Sequence, residues 1–179
     1  EATRKLCIGW IVGALNPWGP YAHIAPSGEQ GTGKSTLLRV LRAFTDPAKA
    51  EENTDPKTID DFMVTTLNNH VVSYDNLSSL PDWLSDGLCR LATGAGLTKR
   101  MLYSDLDEIV IDAARPAILN GISDIIGRPD LLERTITFEM PRIDPANRLT
   151  ERAFVHQLGQ QAPLIFGALL DGVVMALRR

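Results

Sequence analysis

Short apolar runs alternate along this chain with longer stretches in which apolar residues recur at helical spacing. The short runs end in polar or turn-forming residues, which is typical of strands buried in a sheet. They cover residues 21–26, 70–74, 117–119 and 135–138. Because helical segments separate most of these runs, the order predicts an α/β fold with a mainly parallel sheet flanked by helices.

Helical spacing predicts helices at residues 4–15, 34–45, 58–67, 81–93 and 129–133. Asp46-Pro47 should end the second helix, and Thr58 with Asp61 forms a capping pattern at the start of the third. Residues 98–104 and 108–113 alternate like two paired strands. With a turn at residues 104–107 between them, they predict a β-hairpin inserted into the α/β core.

The C-terminal part of the chain is predicted as a polar linker at residues 142–149 followed by two helices at 150–157 and 163–177. The apolar stretch 164–177 is too short to cross a bilayer and contains Asp171. We therefore expect a buried or half-buried helix there and no membrane partner. This pattern divides the chain into a core at 1–141 and a linker with a C-terminal helical segment at 142–179.

Composition places the chain among ordinary globular proteins, with 179 residues, 44% hydrophobic and 22% charged. The net charge of −4 argues against a generally basic nucleic-acid coat but not against a local basic loop. Cys7 and Cys89 lie far apart in apolar runs, which predicts buried free thiols in a reducing, cytoplasmic compartment. Because the chain starts at Glu1, we expect it to be part of a longer protein.

The strongest motif follows the first predicted strand and fits the phosphate-loop pattern G-x-x-x-x-G-K-[ST]. It reads Gly28-Glu29-Gln30-Gly31-Thr32-Gly33-Lys34-Ser35, with Thr36 next in the helix. Glycines let successive N–H groups point at phosphate oxygens, Lys34 can reach the β- and γ-phosphates, and Ser35 can ligate Mg²⁺. A glycine-rich turn without a ligand is the alternative. The strand before and the helix after the loop favour a site for ATP and Mg²⁺.

Two polar residues end neighbouring strand-like runs and are further candidates for the same site. Asp75 follows the run 70–74, where nucleotide-hydrolysing enzymes hold Mg²⁺ with an acid. Asn120 follows the run 117–119 and can hydrogen-bond the γ-phosphate or the attacking water. The alternative for both is a turn residue at a strand end.

The group that orients the attacking water is left open by the sequence. Many ATPases with a phosphate loop carry Glu directly after the metal-binding Asp, whereas this chain carries Asn76. Either Asn76 positions water weakly, or Glu29, Asp60 or Asp61 substitutes for it, or hydrolysis is slow. For the two aspartates, charge at a helix N-terminus is the simpler interpretation.

Four cations are candidates for action outside the phosphate loop. Arg134 precedes the run 135–138, from where a guanidinium can reach the nucleotide of a neighbouring subunit, and Arg128 is a second candidate. A surface or ion-paired arginine is an equal alternative for either. Lys99 and Arg100 start the predicted hairpin and either contact phosphates of a nucleic-acid strand or form a solvated charge pair.

The order of these features resembles the ATPase core of superfamily 3 helicases of phages and plasmids. More narrowly, the chain resembles ATP-binding proteins of prophages and mobile elements that accompany a primase-polymerase. The matching segments are 28–36, 71–76, 91–103, 118–120 and 132–134. The resemblance implies an AAA+-like three-layer fold and a ring homo-oligomer, commonly a hexamer, with ATP between subunits. It also implies that Asn120 is the first sensor, Arg134 the arginine finger, and Lys99 and Arg100 part of a hairpin facing a DNA channel.

The sequence therefore predicts an ATP-driven DNA helicase or translocase that binds single-stranded DNA. Two departures from the family pattern are Asn76 and the lack of a clear second sensor arginine, for which Arg148 and Arg152 are the candidates. A non-hydrolysing nucleotide-binding switch or assembly module stays an alternative. A small-molecule kinase is disfavoured because residues 97–113 do not form an arginine-rich lid.

Overall fold

A central four-stranded sheet organises the fold. The computed structural model describes residues 1–48, 53, 55–100, 108–111, 113–121 and 125–178, with the backbone alone for residues 97–100 and 108–111. The elements are α1 (Ala2–Ala14), β1 (His23–Ser27), α2 (Lys34–Thr45), α3 (Ile59–Asn68), β2 (Val72–Leu77), α4 (Asp82–Thr93), β3 (Leu97–Arg100), β4 (Glu108–Ile111), β5 (Ala117–Gly121), α5 (Pro129–Leu132), β6 (Thr135–Glu139), a 3₁₀ turn (Pro145–Asn147) and α6 (Glu151–Leu177).

The four strands of the central sheet are all parallel and lie in the order β2-β5-β1-β6. Ile24 of β1 pairs with Ile118 of β5 on one side and with Ile136 of β6 on the other. Parallel strands end at the same edge of a sheet, so residues that follow β1, β2 and β5 are brought to one place. We call this the carboxyl edge and the opposite one the amino edge.

Helices cover both faces of the sheet, because successive strand residues point to opposite sides. Ile24 and Ile118 pack with α1, α2 and α6, whereas their neighbours Ala25 and Leu119 pack with α3, α4 and α5. Strands buried on both faces explain why the runs read as continuous apolar segments. The predicted three-layer α/β class with a mainly parallel sheet is therefore confirmed.

Local signals place several helix ends where the sequence predicts them. The Thr58 side chain accepts from the Asp61 N–H at 3.2 Å, and the Asp61 carboxylate accepts from the Thr58 N–H at 3.0 Å, which is a capping box at the start of α3. Gly94 ends α4 with φ 74°. Asp60 and Asp61 thus lie in the first turn of α3, where their charge favours the helix.

The C-terminal region contradicts the prediction of two helices, because α6 is one helix of 27 residues with Pro163 inside it. Proline removes a helical hydrogen bond and its ring crowds the carbonyl four residues earlier, which here belongs to Gly159. Leu158 and Ala162 before the proline and Leu169 after it pack into the same cluster with α1 and α2. This burial on both sides of Pro163 keeps the helix continuous.

The prediction of a buried or half-buried terminal helix is also wrong, since most of α6 faces solvent. Leu164 is 79% exposed, and Leu170, Val174 and Met175 are exposed as well. Within the described residues, α6 is the one helix that is long and apolar enough to cross a membrane, with a mean hydropathy of 1.4. Length and composition are weak evidence of a membrane span, because core helices of soluble proteins meet the same criteria.

The predicted hairpin is present as an antiparallel pair of β3 with β4, with Lys99 opposite Ile109 and Arg100 opposite Glu108. The described parts of its strands are Leu97–Arg100 and Glu108–Ile111. Residues 101–107, with the predicted turn at 104–107, and residue 112 lie outside the described residues. The pair follows α4 and precedes β5, so the hairpin is rooted at the amino edge of the sheet.

A buried arginine fixes strand β2, which carries Asp75, against helix α2. Arg42 of α2 is 2% exposed and donates to Asn53 Oδ1 at 3.0 Å and to Asn69 Oδ1 at 2.5 Å. Asn53 Oδ1 also accepts from the Ser73 N–H of β2 at 3.0 Å. Burial lowers the pKa of Arg42, which the nearby Asp46 carboxylate partly offsets.

His23 joins β1, β5 and α4 inside the core. Its Nδ1 accepts from the Ala117 N–H at 3.0 Å, so its Nε2–H donates to the Leu88 carbonyl at 2.9 Å. The ring is fully buried and neutral, and desolvation lowers its pKa to about 4. An unfolded histidine titrates near its ordinary pKa of about 6.5. The unfolded state therefore binds more protons between these values, and stability falls as the pH falls through that window.

We expect His23→Gln to remove much of the acid destabilisation of this protein. A pKa of about 4 in the folded state predicts that the wild type loses about 2 to 3 kcal/mol of unfolding free energy through His23 between pH 7.5 and pH 4.5. Urea unfolding at both pH values measures the loss. His156→Gln, at an exposed position on α6, is the control and should keep the wild-type difference. An unchanged pH difference in His23→Gln would contradict the assignment.

Candidate functional site

The glycine loop between β1 and α2 has the backbone that the motif predicts. Gly28, Gly31 and Gly33 have φ angles of 139°, 84° and 85°, all in the region that favours glycine. Gly33 is the N-cap of α2, so the loop leads directly into a 12-residue helix without a side-chain cap. The first N–H groups of such a helix lack helical partners and favour an anion.

Gly28 leaves no room for a side chain because a backbone carbonyl lies beside it, and a side chain on Gly31 would displace the Arg148 guanidinium. A Cβ on Gly28 would lie 2.8 Å from the Met140 carbonyl oxygen, and one on Gly31 would lie 2.9 Å from Arg148 Nη2. The loop is further closed by Thr32, which is 2% exposed and donates through Oγ1 to the Glu29 carbonyl at 2.9 Å. These contacts shape a narrow cradle of backbone rather than of side chains.

Lys34 folds back over this cradle. Its Nζ donates to the Gly28 carbonyl at 2.6 Å and to the Glu29 carbonyl at 3.0 Å. Ser35 is half-buried one residue further along α2, whereas Gln30 and Thr36 are exposed. Helix α2 thus places one charged group at the loop, the Lys34 ammonium. A positive charge there suits an anionic ligand.

Asp75 and Asn120, predicted from two separate strand ends, are in direct contact. The Asn120 Nδ2 donates to Asp75 Oδ1, and β2 pairs with β5 at this point. Asn120 is 5% exposed, and its Oδ1 has no hydrogen-bond partner. The Asp75 carboxylate is therefore oriented by a buried amide at the carboxyl edge, the edge that also carries the glycine loop.

Asn76 has a left-handed backbone, with φ 58°, and it is the one non-glycine residue with positive φ in the described part of the chain. The β2–β5 register shifts between Tyr74 and Leu77, which is a bulge around this residue. The Asn76 N–H donates to Asp75 Oδ1 at 2.8 Å. Asparagine tolerates this conformation better than glutamate does. The left-handed backbone at this position therefore explains why the chain carries Asn76 where many ATPases carry an acid.

Arg148, one of the two candidates for the second sensor arginine, lies at the glycine loop, a contact that the sequence pattern does not predict. Its Nη2 donates to the Gly31 carbonyl at 3.1 Å. Ile143 of the same segment lies close to Gly33, where an added Cβ would be 3.3 Å from Ile143 Cδ1. The predicted linker thus crosses the phosphate loop. Arg152, the other candidate, is exposed in the first turn of α6.

Arg134 lies at the amino edge, directly before β6, where its carbonyl accepts from the His23 N–H at 2.8 Å. A five-residue strand separates it from the loop, a length of about 17 Å. Its Nη1 donates to the Asp130 carbonyl at 2.6 Å. Arg134 is therefore not part of the site formed by its own chain.

Arg128 is held by acidic side chains instead of being free to reach a nucleotide. It pairs with Asp130 at 2.9 Å, with Asp86 at 2.8 Å and with Asp82 at 3.9 Å. The hydrogen bonds that Arg128 donates to the Asp130 carboxylate raise the pKa of Arg128 and lower the pKa of Asp130. This network favours the ion-paired alternative for Arg128.

A cleft of about 390 Å³ opens beside the loop, between the ends of β1, β5 and β6. Its lining includes Pro26, Ser27 and Phe138, and among the described residues that line it the charged one is Glu139. An acidic, partly apolar cleft does not suit phosphates. The anion-binding geometry is in the glycine loop and not in this cleft.

The sequence and the fold were compared with those of known proteins. The sequence matches the family of actinomycete integrative conjugative element replication proteins over residues 1–178. The chain belongs to this family. No curated protein matches the sequence. The predicted origin in a mobile element is thereby confirmed, whereas a prophage origin and a primase-polymerase partner stay predictions.

Solved structures similar to this conjugative-element replication protein include the apo C-terminal region of NrS-1. That structure aligns with a TM-score of 0.55 and 18% identity over 89% of this chain and 39% of the NrS-1 chain, so this chain spans about two fifths of its length. NtrX from Brucella abortus aligns with TM-scores of 0.44 in complex with ADP and 0.45 in complex with ATP, at 14% identity over 79% of this chain. The NtrX structures have 36% and 37% of their length covered. The NrS-1 likeness extends to the fold alone.

The residues of this replication protein fit a nucleotide with Mg²⁺. The fit rests on the cradle that a Cβ at Gly28 or Gly31 would fill, and on the donor set of Ser35 hydroxyl and Asp75 carboxylate. Mg²⁺ needs few protein ligands when phosphates supply the others. The absence of a larger His, Cys, Asp or Glu cluster in the described residues is therefore compatible with it.

We expect Asn76→Glu to destabilise the protein by about 1 kcal/mol, because a longer side chain resists the left-handed backbone. Asn76→Gly should be nearly neutral. Chemical denaturation measures both changes. Asn147→Glu adds the same charge at an exposed position without positive φ and is the control. Equal stability of Asn76→Glu and Asn76→Gly would show that the backbone does not disfavour glutamate there.

Proposed function

We propose that this chain is an ATP-binding and ATP-hydrolysing motor domain that acts as a DNA helicase or translocase in mobile-element replication. The observation that carries the proposal is the glycine loop, with three positive-φ glycines leading into Lys34 at the start of α2. Backbone N–H groups in this arrangement surround phosphate oxygens. The Asp75–Asn120 pair at the same edge supplies a carboxylate for the metal and a polar side chain for the γ-phosphate.

Lys34 is proposed to bind the β- and γ-phosphates. In the structure its Nζ bonds only to the neutral carbonyls of Gly28 and Glu29. A triphosphate offers charged acceptors, and hydrogen bonds to charged acceptors are about twice as strong as those to neutral ones. We therefore expect Lys34 to exchange these intraloop hydrogen bonds for bonds to the phosphates of the ligand.

Ser35 and Asp75 are the residues that would hold Mg²⁺. The ion, when bound, neutralises phosphate charge as the γ-phosphoryl group is transferred to water. Asp75 Oδ1 already accepts from the Asn120 side chain and the Asn76 N–H. We assign the other oxygen, Oδ2, to the metal or its water. Asn120 thus acts on the metal ligand as well as in its predicted sensor role.

Arg148 is proposed as the second cation of the nucleotide site and the candidate second sensor. Its guanidinium lies within 3.1 Å of the Gly31 carbonyl, at the mouth of the loop. Arginine suits phosphate because its planar fork donates two hydrogen bonds at once. Since Arg148 lies two residues before Thr150, the N-cap of α6, its movement toward a nucleotide would also move the start of that helix.

A ring of subunits, with a hexamer as the expected form, is proposed from the resemblance to superfamily 3 helicases, and the position of Arg134 supports it. Arg134 lies at the amino edge, so it can serve only the nucleotide of a neighbouring chain. An arginine acting in this way stabilises the charge that develops on the phosphate during transfer. The AAA+-like assembly, with ATP between subunits, follows from this proposal.

The hairpin of β3 and β4 is proposed to contact single-stranded DNA through Lys99 and Arg100. Both residues lie on β3, within the part of the hairpin whose backbone is described. A replication protein of a conjugative element acts on DNA in the cytoplasm, which fits this use of two adjacent cations. A primase-polymerase partner, in the same or another chain, is part of the proposal.

A nucleotide-binding switch without turnover is the second candidate, and Asn76 favours it. No acid follows Asp75, and the left-handed backbone of Asn76 disfavours one. ATP bound without hydrolysis would then set the assembly state of the protein. The two candidates differ in a single observable, the release of phosphate.

We expect Lys34→Ala to weaken ATP binding at least about tenfold, because the principal cation of the cradle is lost. Wild-type turnover should rise with single-stranded DNA, and turnover should vanish in the variant. Calorimetry and phosphate release, on protein concentrated enough to oligomerise, measure the two effects. Lys5→Ala, an exposed lysine of α1, is the matched control. ATP binding without turnover in the wild type would favour the switch, and unchanged binding in Lys34→Ala would reject the site.

We expect a mixture of Lys34→Ala and Arg134→Ala proteins to hydrolyse ATP although neither does so alone. In the mixture, some interfaces combine the intact loop of one variant with the intact Arg134 of the other. Phosphate release at a fixed total protein concentration measures this complementation. The Lys34→Ala/Arg134→Ala double variant mixed with wild type is the control for simple dilution. A mixture as inactive as its components would contradict the action of Arg134 across an interface.

A further inference from the structure

Trp18 is unusual because its large ring faces solvent. It is 76% exposed, whereas Trp10 is buried at 4%. Tryptophan is highly buried on average, so an exposed ring points to a contact with another molecule. Trp18 lies in the segment of residues 16–20 that joins α1 to β1, and the nucleotide site makes no use of it.

The segment around Trp18 is ordered by its own polar contacts. Asn16 Nδ2 donates to the Trp18 carbonyl at 2.9 Å, and the Trp18 N–H donates to Asn16 Oδ1 at 3.3 Å. The buried Tyr21 donates through its hydroxyl to the Asn16 carbonyl at 2.6 Å. A ring presented from such a segment loses little conformational freedom when it binds a ligand.

This segment packs against the root of the β3–β4 hairpin. An added Cβ on Gly19 would lie 2.6 Å from Ala114 Cβ, and one on Gly94 would lie 3.5 Å from the same atom. Gly94 ends α4 just before β3, and Ala114 lies between β4 and β5. Trp18 and the hairpin are therefore presented from the same part of the amino edge.

Positive charge accompanies the ring at this edge. Arg115 follows Ala114, and its charge acts on the Tyr21 hydroxyl, where it opposes the rise in pKa that burial causes. Arg90 is exposed in the last turn of α4, and Lys99 and Arg100 lie on β3. Glu108 of β4 lies opposite Arg100, so the four cations exceed the one acid of the described hairpin strands in a chain of net charge −4. Cations beside an isolated aromatic ring form the combination that binds single-stranded nucleic acid.

We propose that Trp18 stacks on a base of single-stranded DNA whose phosphates lie along the cations at the root of the hairpin. The inference rests on the proposed DNA-binding function and adds to it a contact with a base. Stacking is tolerant of sequence because every base has an aromatic face. A protein partner is less favoured, because Trp18 is a single ring and the other exposed apolar residues of the described chain concentrate on α6 and, in smaller number, on α3.

The test is a fluorescence anisotropy titration of labelled (dT)20 with wild type, Trp18→Ala and Trp18→Phe. We expect Trp18→Ala to weaken binding about tenfold and Trp18→Phe to retain most of the affinity, since phenylalanine still stacks. Phe166→Ala is the matched control, because Phe166 is an aromatic residue 40% exposed on α6. It should bind like wild type.

Salt dependence separates the base contact from the phosphate contacts. The slope of log affinity against log salt should stay unchanged in Trp18→Ala, which removes no cation. In Lys99→Ala/Arg100→Ala it should fall by about 1.4, because each lost phosphate contact on single strands contributes about 0.7. A reduced slope in Trp18→Ala would overturn the stacking assignment.

Three further outcomes would overturn the inference. If Trp18→Ala binds (dT)20 with wild-type affinity, the stacking contact is rejected, but the proposed role of Lys99 and Arg100 is unaffected. Altered self-association of Trp18→Ala in sedimentation velocity without DNA, with unchanged DNA affinity of the associated species, assigns the ring to a protein interface instead. No binding of (dT)20 by wild type rejects both this inference and the DNA part of the proposed function, whereas ATP binding tests the nucleotide site separately.

Discussion

Because the four central strands run parallel, every residue that follows a strand end is delivered to the same edge of the sheet. The backbone pairing of β1 with β5 and β6, and of β5 with β2, is therefore the constraint on which the site depends. It brings the glycine loop, Asp75 and Asn120 together although they are far apart in sequence. Two buried side chains hold helices against these strands. Arg42 connects α2 to β2 through Asn53, and His23 of β1 connects α4 to β5.

The same pairing explains the departure at Asn76. A bulge in the β2–β5 ladder turns the Asp75 carboxylate toward Asn120 and leaves Asn76 with a left-handed backbone. A residue that tolerates positive φ is then favoured over the glutamate that many ATPases with a phosphate loop carry at this position. In the proposed motor, hydrolysis therefore depends on the backbone at Asn76. The N–H of this left-handed residue donates to the Asp75 carboxylate, and the same conformation disfavours an acid at this position.

In the proposed motor, the carboxyl and amino edges of the sheet have different functions. The carboxyl edge holds the nucleotide, and Arg148 connects it to the long helix α6. The amino edge carries Arg134, the hairpin and Trp18, all groups proposed to contact another molecule. Helices α1 and α2 pack with α6 in one cluster, which joins the helix that begins at the glycine loop to the C-terminal helix.

The sequence by itself determined the features that local chemistry controls. These include the strands, the capping box at Thr58 and Asp61, the glycine loop and the strand-end positions of Asp75 and Asn120. It could not predict the continuity of α6 through Pro163, the exposure of that helix, or the contact of Arg148 with Gly31. Proline breaks an isolated helix, and only packing of Leu158 and Leu169 on the same cluster overrides that local preference. The positive φ of Asn76 likewise depends on the register between two strands, which is a tertiary contact. Local propensity acts on neighbours in sequence, whereas these features depend on free energy gained between residues that only the fold brings together.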